Sequence, residues 1–215
     1  MQLFIDSANI SEIKEVSNLG LIKGVTTNPT LISKTNSSID ETIRNISSIV
    51  DGPISIEVTK DTYNEMLEQA LNFYKINPRN IVIKVPMTYD GLKLCRELSN
   101  QGIKTNITLC FSVSQALLAM ESKATYVSLF IGRLLDDNQD AFEILNNIVK
   151  IKHIYNFQTE IISASIRNVK QVEKCAQYAS DIVTIPYQVL KDMITNPLTD
   201  KGIIKFKEDA LKIVK

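Results

Sequence analysis

Short β-branched runs recur along the chain, at Leu3–Asp6, Ile22–Thr26, Ile54–Thr59, Ile81–Val85, Ile103–Thr108, Tyr126–Ile131, Glu160–Ala164 and Asp181–Ile185. Most are apolar on both parities, which predicts parallel strands buried on both faces. Helical patterns fill the gaps. Asn9 and Glu12 stand at capping-box spacing before Ile13 and Val16, and Thr62 and Glu65 precede an apolar stripe running from Tyr63 to Tyr74. Ser112 and Gln115 open another helix, Ala141 to Ile151 reads as a longer one, and Val189 to Ile194 marks the eighth. Phe206 to Val214 predicts a terminal extra helix. Pro29, Pro86 and Pro186 each follow a strand, where the chain turns.

Eight βα units at even spacing fit a closed barrel or a doubly wound sheet. No GxGxxG follows the first strand and no GxxxxGK[ST] occurs, which argues against nucleotide binding. Without a low-complexity tract or a composition shift, residues 1–215 read as a single domain, with Thr35–Ser38 the most loop-like stretch.

Polar residues that break the strand pattern carry the chemistry. Lys84 sits inside Ile-Val-Ile-Lys-Val-Pro, on the opposite parity from Ile81, Ile83 and Val85. Burial disfavours an ammonium and favours the neutral amine that Schiff-base chemistry needs. The plainer alternative is a lysine that snorkels from the strand end or pairs with a carboxylate. Asp6 ends the first run, and Thr26, Thr27 and Asn28 close the second. Glu57 with Thr59, Asn106 with Thr108, Ser128 with Phe130, and Ser163 with Ser165 share parities in the third, fifth, sixth and seventh. In a barrel the strands' C-terminal ends meet at one face, where catalytic groups gather. Caps and turns explain one or two such residues well and seven strands of them poorly. Arginine adds a further pointer. Only five occur beside 19 lysines, and Arg133 and Arg167 directly follow the sixth and seventh runs. With Ser165 they suit a phosphate clamp, against the alternative of loop salt bridges.

Composition narrows the classes. An apolar share of 44% and a charged share of 22% are ordinary for a soluble domain. Lys plus Arg equals Asp plus Glu at 24 each, so no net charge draws the chain to nucleic acid or membrane. The N-terminus lacks a signal-peptide pattern, and no run reaches the ~20 apolar residues of a membrane helix. Three scattered cysteines, Cys95, Cys110 and Cys175, form no CxxC or disulfide framework and fit a reducing cytoplasm. A lone histidine, His153, leaves neither a His-based metal site nor a Ser-His-Asp triad, and its place near a helix end predicts a surface residue.

Taken together, Phe-Ile-Asp6, Gly24-Val-Thr-Thr-Asn28-Pro29, Ile-Glu57-Val, Ile-Lys84-Val-Pro86, Asn106-Ile-Thr108, Ser128-Leu-Phe130-Ile-Gly132-Arg133 and Ala164-Ser165-Ile-Arg167-Asn168 resemble the transaldolases, especially the short bacterial subgroup. The resemblance covers essentially the whole chain. It implies an α/β fold, the (β/α)8 TIM barrel, and a class I aldol mechanism without metal or cofactor. Lys84 is then the covalent nucleophile toward ketose phosphates such as fructose 6-phosphate or sedoheptulose 7-phosphate, and Asp6 the acid/base. Glu57 and Thr108 hold a catalytic water, Asn28, Asn106 and Ser128 hold the dihydroxyacetone unit, and Arg133, Ser165 and Arg167 hold phosphate. Erythrose 4-phosphate or glyceraldehyde 3-phosphate is the expected acceptor. The related fructose-6-phosphate aldolases tend toward Gln at the position of Glu57 and Tyr at that of Phe130, and lack the Asn of Asn106. This chain follows the transaldolase pattern at all three, while Leu129 and Ile166 depart mildly from the Pro and Phe common there. The resemblance also implies a homo-oligomer, a decamer or pentamer, with the C-terminal helix reaching a neighbour. The expected partners are sugar phosphates. Two other readings stay open: an aldolase that releases free dihydroxyacetone, and a non-catalytic sugar-phosphate-binding barrel.

Overall fold

The computed structural model describes residues 1–213. Eight strands, β1 (Gln2–Asp6), β2 (Ile22–Thr26), β3 (Ile54–Glu57), β4 (Ile81–Pro86), β5 (Thr105–Cys110), β6 (Tyr126–Phe130), β7 (Glu160–Ala164) and β8 (Ile182–Ile185), pair in parallel and close into a barrel in sequence order. The helices around it are α1 (Ile10–Ser17), α2 (Pro29–Ile32), α3 (Ile39–Ser47), α4 (Tyr63–Ile76), α5 (Tyr89–Asn100), α6 (Val113–Glu121), α7 (Ile131–Asp136), α8 (Ala141–Ile154), α9 (Val169–Gln177), α10 (Tyr187–Ile194) and α11 (Pro197–Ala210). The barrel, and not the doubly wound sheet, is the architecture.

Strand parity divides the core in two. Ile5, Val25, Ile56, Ile83, Val85, Ile107, Val127 and Val183 pack outward against the helix layer. Phe4, Val82, Tyr126, Ile162, Ala164 and Ile182 form a separate cluster inside the barrel. Phe4 and Tyr126 meet edge-on, with ring centroids 6.3 Å apart. Gly24 makes room for them, since a Cβ there would stand 2.7 Å from the Phe4 ring and 2.8 Å from the Pro53 carbonyl oxygen. This apolar floor fills the lower barrel and leaves only the upper end for polar side chains.

The expected caps form. The Asn9 side chain accepts from the backbone N–H of Ser11 and Glu12, Thr62 from that of Glu65, and Ser112 from that of Gln115. His153 is exposed in the last turn of α8. Several boundaries differ from the sequence pattern. β3 stops at Glu57, and Thr59 lies beyond it, exposed, its N–H bonded to the Gln69 side chain. β5 starts at Thr105 and runs on to Cys110. Two short helices, α2 and α7, directly follow β2 and β6; α2 begins at Pro29, where the chain was expected to turn. The terminal helix begins at Pro197 and ends at Ala210, so its core lies upstream of Phe206; Val214 is outside the described residues. Ser163 does not face the barrel axis. It is buried on the helix side, where its hydroxyl meets that of Ser180 at 2.8 Å, because Ile162 and Ala164 take the inward parity of β7.

Candidate active site

Above the floor, the inward parity turns polar. Lys84 follows Val82 up β4, Asp6 follows Phe4 up β1, Ser128 follows Tyr126 up β6 and Thr184 follows Ile182 up β8. β2 adds Thr26, β3 adds Ser55 and Glu57, and β5 adds Asn106 and Thr108. Seven strands contribute, as the sequence suggested, with β8 in the place expected for β7.

Lys84 is 5% exposed. Its Nζ donates to the Thr27 carbonyl at 2.9 Å and lies 2.9 Å from Glu57 Oε2. The contact follows from register, since Glu57 and Lys84 are direct cross-strand partners. A charge this buried is tolerated only when paired and hydrogen-bonded, and both conditions hold here. The sequence-level alternative of a snorkelling lysine is therefore excluded; pairing with a carboxylate occurs, and it occurs inside the barrel mouth.

Asp6 faces the same space. Burial pushes its carboxyl above the ordinary carboxylate range, opposed by the Lys84 ammonium and by a hydrogen bond from Thr26. Thr26 Oγ1 is 2.8 Å from Asp6 Oδ1 and 2.6 Å from Thr184 Oγ1. Across the barrel, Ser128 Oγ donates to Asn106 Oδ1 at 2.8 Å, and Asn106 Nδ2 donates to Ser55 Oγ at 3.2 Å. This chain of polar groups fixes the Asn106 amide. Thr108 is fully buried, and its hydroxyl has no hydrogen-bond partner. Asn28 caps α2 by accepting the Leu31 N–H at 3.0 Å, which leaves its amide hydrogens for the mouth.

Two adjoining hollows open over Lys84. The inner one, about 100 Å³, is bounded by Asp6, Thr26, Ser128, Ser165 and Thr184. The outer one, about 400 Å³, adds Glu57 and Leu109. Both include Asn28, Lys84, Phe130 and Arg133. Phe130 is pinned by Phe111, 5.6 Å away edge-on, and carries the Arg133 guanidinium 5.0 Å from its centroid. A larger hollow of about 490 Å³ lies beside the mouth, between α1 and the α2–α3 segment, among Ser7, Glu12, Lys34 and Asn45. It contains none of the buried ionisable groups, so size does not mark the chemistry here.

The expected phosphate residues divide. Arg133 and Ser165 line the inner hollow. Arg167 does not; its Nη2 is 2.6 Å from Asp136 Oδ2 at the exposed rim. Ser165 has a left-handed φ of 59°, which a serine adopts only under constraint. The constraint is visible at Gly132, where a Cβ would lie 1.9 Å from the Ser165 carbonyl oxygen and 2.9 Å from Arg167 Nε. Among the described residues, no three His, Cys, Asp or Glu side chains cluster as a metal site would require.

The sequence reading left Thr184, Leu109 and the Thr27 carbonyl out of the site. Thr184 had the same signal as Lys84, a polar residue of inward parity in an apolar strand. Leu109 had none. It lines the outer hollow because the register of β5 against β6 shifts and its φ is 58°, a backbone state that leucine does not advertise.

Fold and site together define a (β/α)8 barrel whose polar mouth is centred on one buried lysine flanked by two carboxylates. The chain belongs to the transaldolase/fructose-6-phosphate aldolase family, whose description matches residues 3–215. Two bacterial relatives named probable transaldolase are similar along their whole length. That of Thermoanaerobacter sp. (strain X514) is 50% identical over 212 residues, covering 99% of this chain and 98% of the relative. That of Alkaliphilus metalliredigens (strain QYMF) is 49% identical over 215 residues, covering both chains entirely. Among solved structures, the thiamine phosphate pyrophosphorylase of Pyrococcus furiosus superposes with a TM-score of 0.62 at 11% identity, covering 86% of this chain and 85% of that one. That likeness concerns the fold alone.

Proposed function

We propose that this protein is a transaldolase that carries a dihydroxyacetone unit from a ketose phosphate to an aldose phosphate through a Schiff base on Lys84. The carrying observation is the buried Lys84 amine with Glu57 at 2.9 Å, in the same hollow as Asp6. The Lys84 ammonium gives a proton to Glu57, the freed amine attacks the ketose C2 carbonyl, and a proton moves from the nitrogen to the new alkoxide to give the carbinolamine. Glu57 returns the proton as the carbinolamine loses water, leaving an iminium. Asp6 takes the C4 hydroxyl proton, the C3–C4 bond breaks, and its electron pair moves into the iminium to give an enamine. The aldose phosphate departs. A second aldose phosphate enters, the enamine carbon attacks its aldehyde, and Asp6 returns the proton to the new hydroxyl. The buried, unpartnered Thr108 hydroxyl supports a water held between it and Glu57 during imine formation and hydrolysis.

Asn28, Asn106 and Ser128 suit the hydroxyls of the three-carbon unit. Arg133 and Ser165, with Arg167 at the rim, suit the phosphate. Sedoheptulose 7-phosphate plus glyceraldehyde 3-phosphate would thus give erythrose 4-phosphate plus fructose 6-phosphate. The three free, buried cysteines support a reducing cytoplasm as the working compartment. No helix among the described residues is long and apolar enough to cross a membrane.

A homo-oligomer belongs to the same proposal. α11 buries none of its residues and leaves Leu198 and Phe206 each 74% exposed, apolar surface that suits a neighbouring copy. Light scattering that returns a monomer at micromolar concentration would remove it.

Incubation with fructose 6-phosphate, with and without erythrose 4-phosphate, tests the activity. Sedoheptulose 7-phosphate appearing only with the acceptor supports transfer. Free dihydroxyacetone accumulating without an acceptor makes the protein an aldolase. Borohydride quenching that leaves no reduced three-carbon adduct on Lys84 leaves only a binding barrel.

A further inference from the structure

β8, β1 and β2 are neighbours in the barrel, and their inward side chains meet in one line. Thr26 is the cross-strand partner of Asp6, and Thr184 is the partner of Phe4, one inward step below Asp6. Thr26 is 3% exposed and Thr184 is 2% exposed. The Thr26 hydroxyl touches both others, at 2.8 Å from Asp6 Oδ1 and 2.6 Å from Thr184 Oγ1. A hydroxyl carries one proton, and an ionised carboxylate only accepts. Thr26 therefore donates to Asp6, and Thr184 must donate to Thr26. The order of the chain is fixed: Thr184 to Thr26 to Asp6.

We propose that Thr184 is a positioning residue which, through Thr26, holds the Asp6 carboxylate with Oδ1 occupied and Oδ2 turned to the substrate hydroxyl. The inference rests on the transaldolase reading for its purpose, though the relay itself is a property of the protein's own side chains. Both links are β-branched and stiff at χ1, so each hydroxyl is held in place at little further cost in side-chain freedom. Donation from Thr184 polarises the Thr26 hydroxyl and strengthens its bond to the charged form of Asp6. An apolar side chain at position 184 would remove the donor behind the Thr26 hydroxyl and so weaken its bond to Asp6.

The charged surroundings of Asp6 are few. Lys84 faces it from β4, with Glu57 of β3 at the amine's other side, and Arg133 of α7 closes the hollow. β8 carries no charged residue, and Lys23 of β2 lies exposed at the far end of its strand. Glu12 of α1 is held by the Ser7 hydroxyl at 2.6 Å. None of these groups is altered by a change at Thr184, so a shift in Asp6 titration reports the relay.

The test is the titration of the Asp6 carboxyl by carbon NMR in the substrate-free protein, wild type against Thr184→Val and Thr184→Ser. The valine variant is expected to hold the Asp6 proton about three- to tenfold more tightly, the range of one ordinary hydrogen bond between neutral groups. Its transfer rate falls in parallel on the acid side of the pH profile, and serine restores the wild-type midpoint. If the valine variant does not fold, Thr184→Ala gives the same readout. An unchanged Asp6 midpoint in the apolar variant, or an equal shift in the serine variant, overturns the assignment. The titration needs no substrate. Wild-type protein that forms no adduct on Lys84 would count against the transaldolase reading alone, and the NMR result on Thr184 would stand.

Discussion

Replacing Glu57 by glutamine separates the two duties of that side chain. Glutamine keeps an acceptor oxygen near Lys84 Nζ but removes the charge and the basic site. Two unit charges 2.9 Å apart attract by about 6 kcal/mol at an effective dielectric constant of about 20. Desolvation of both groups offsets much of this attraction. Removing one partner of a buried pair costs about 3–5 kcal/mol, because the other is left uncompensated. Glutamine retains a hydrogen bond, and the Thr27 carbonyl still accepts from Lys84, so the low end applies, about 3 kcal/mol. For a domain of this size that lowers the melting temperature by about 6–12 °C. The chemical effect is larger. Loss of a positioned base slows proton transfer by about 10²–10⁴-fold. Rapid-quench borohydride trapping of the Lys84 adduct, followed against time, reads imine formation directly. Slow trapping in a folded Glu57→Gln protein is the expected outcome, with product partition moved toward free dihydroxyacetone. Wild-type trapping and transfer rates would refute the proton-shuttle role, and an unchanged melting temperature would refute the buried-pair energetics.

Three further outcomes follow from the same geometry. Lys84→Ala is expected to fold, to lose the borohydride adduct and to lose transfer by on the order of 10⁶-fold, the scale for deleting a covalent nucleophile; residual transfer near the wild-type rate removes the central claim. Asp6→Asn should still form the adduct yet transfer about 10²–10⁴-fold more slowly, while resisting urea better than wild type at neutral pH. The sign is set by Asp6 having its carboxyl pushed above the ordinary range by burial. The folded state then binds more protons than the unfolded state between the ordinary and the raised value, so stability falls as pH rises through that window and the cost persists above it. Asparagine removes that cost, and a urea midpoint no higher than wild type at pH 7 contradicts the sign. Gly132→Ala places a methyl group 1.9 Å from the Ser165 carbonyl oxygen, so the segment after β7 must move. It should lose about 1–3 kcal/mol of stability, and its KM should rise for phosphorylated donors more than for their unphosphorylated counterparts, as steady-state kinetics would show.

The parts of this molecule legible in the sequence are those that parity controls. Alternation in Ile-Val-Ile-Lys-Val-Pro puts Lys84 on the opposite face from Ile83, and in the structure Ile83 packs against the helices and Lys84 lies inside. The same rule does not hold for Ser163: it shares a parity with Ser165, but the seventh run is apolar on both faces and Ser165 lies beyond the strand in a left-handed conformation. Ser163 belongs to the helix layer, and Ile162 and Ala164 of β7 pack inside the barrel. Cross-strand contacts were not legible at all. The charged partner of Lys84 in the site, Glu57, is 27 positions away, and the register of β3 against β4 brings them together. Thr184 and Asp6 stand at opposite ends of the chain and meet because β8 closes on β1. Closure is also what makes the polar layer tolerable. Phe4, Val82, Tyr126, Ile162 and Ile182 seal the lower barrel against water, and the charged groups above them pair among themselves. A doubly wound sheet with the same strands would not place β8 beside β1, and Thr184 would then not reach Thr26. The apolar floor therefore shapes the site: it fixes the height in the barrel at which a lysine, two carboxylates and a pair of hydroxyls are held together.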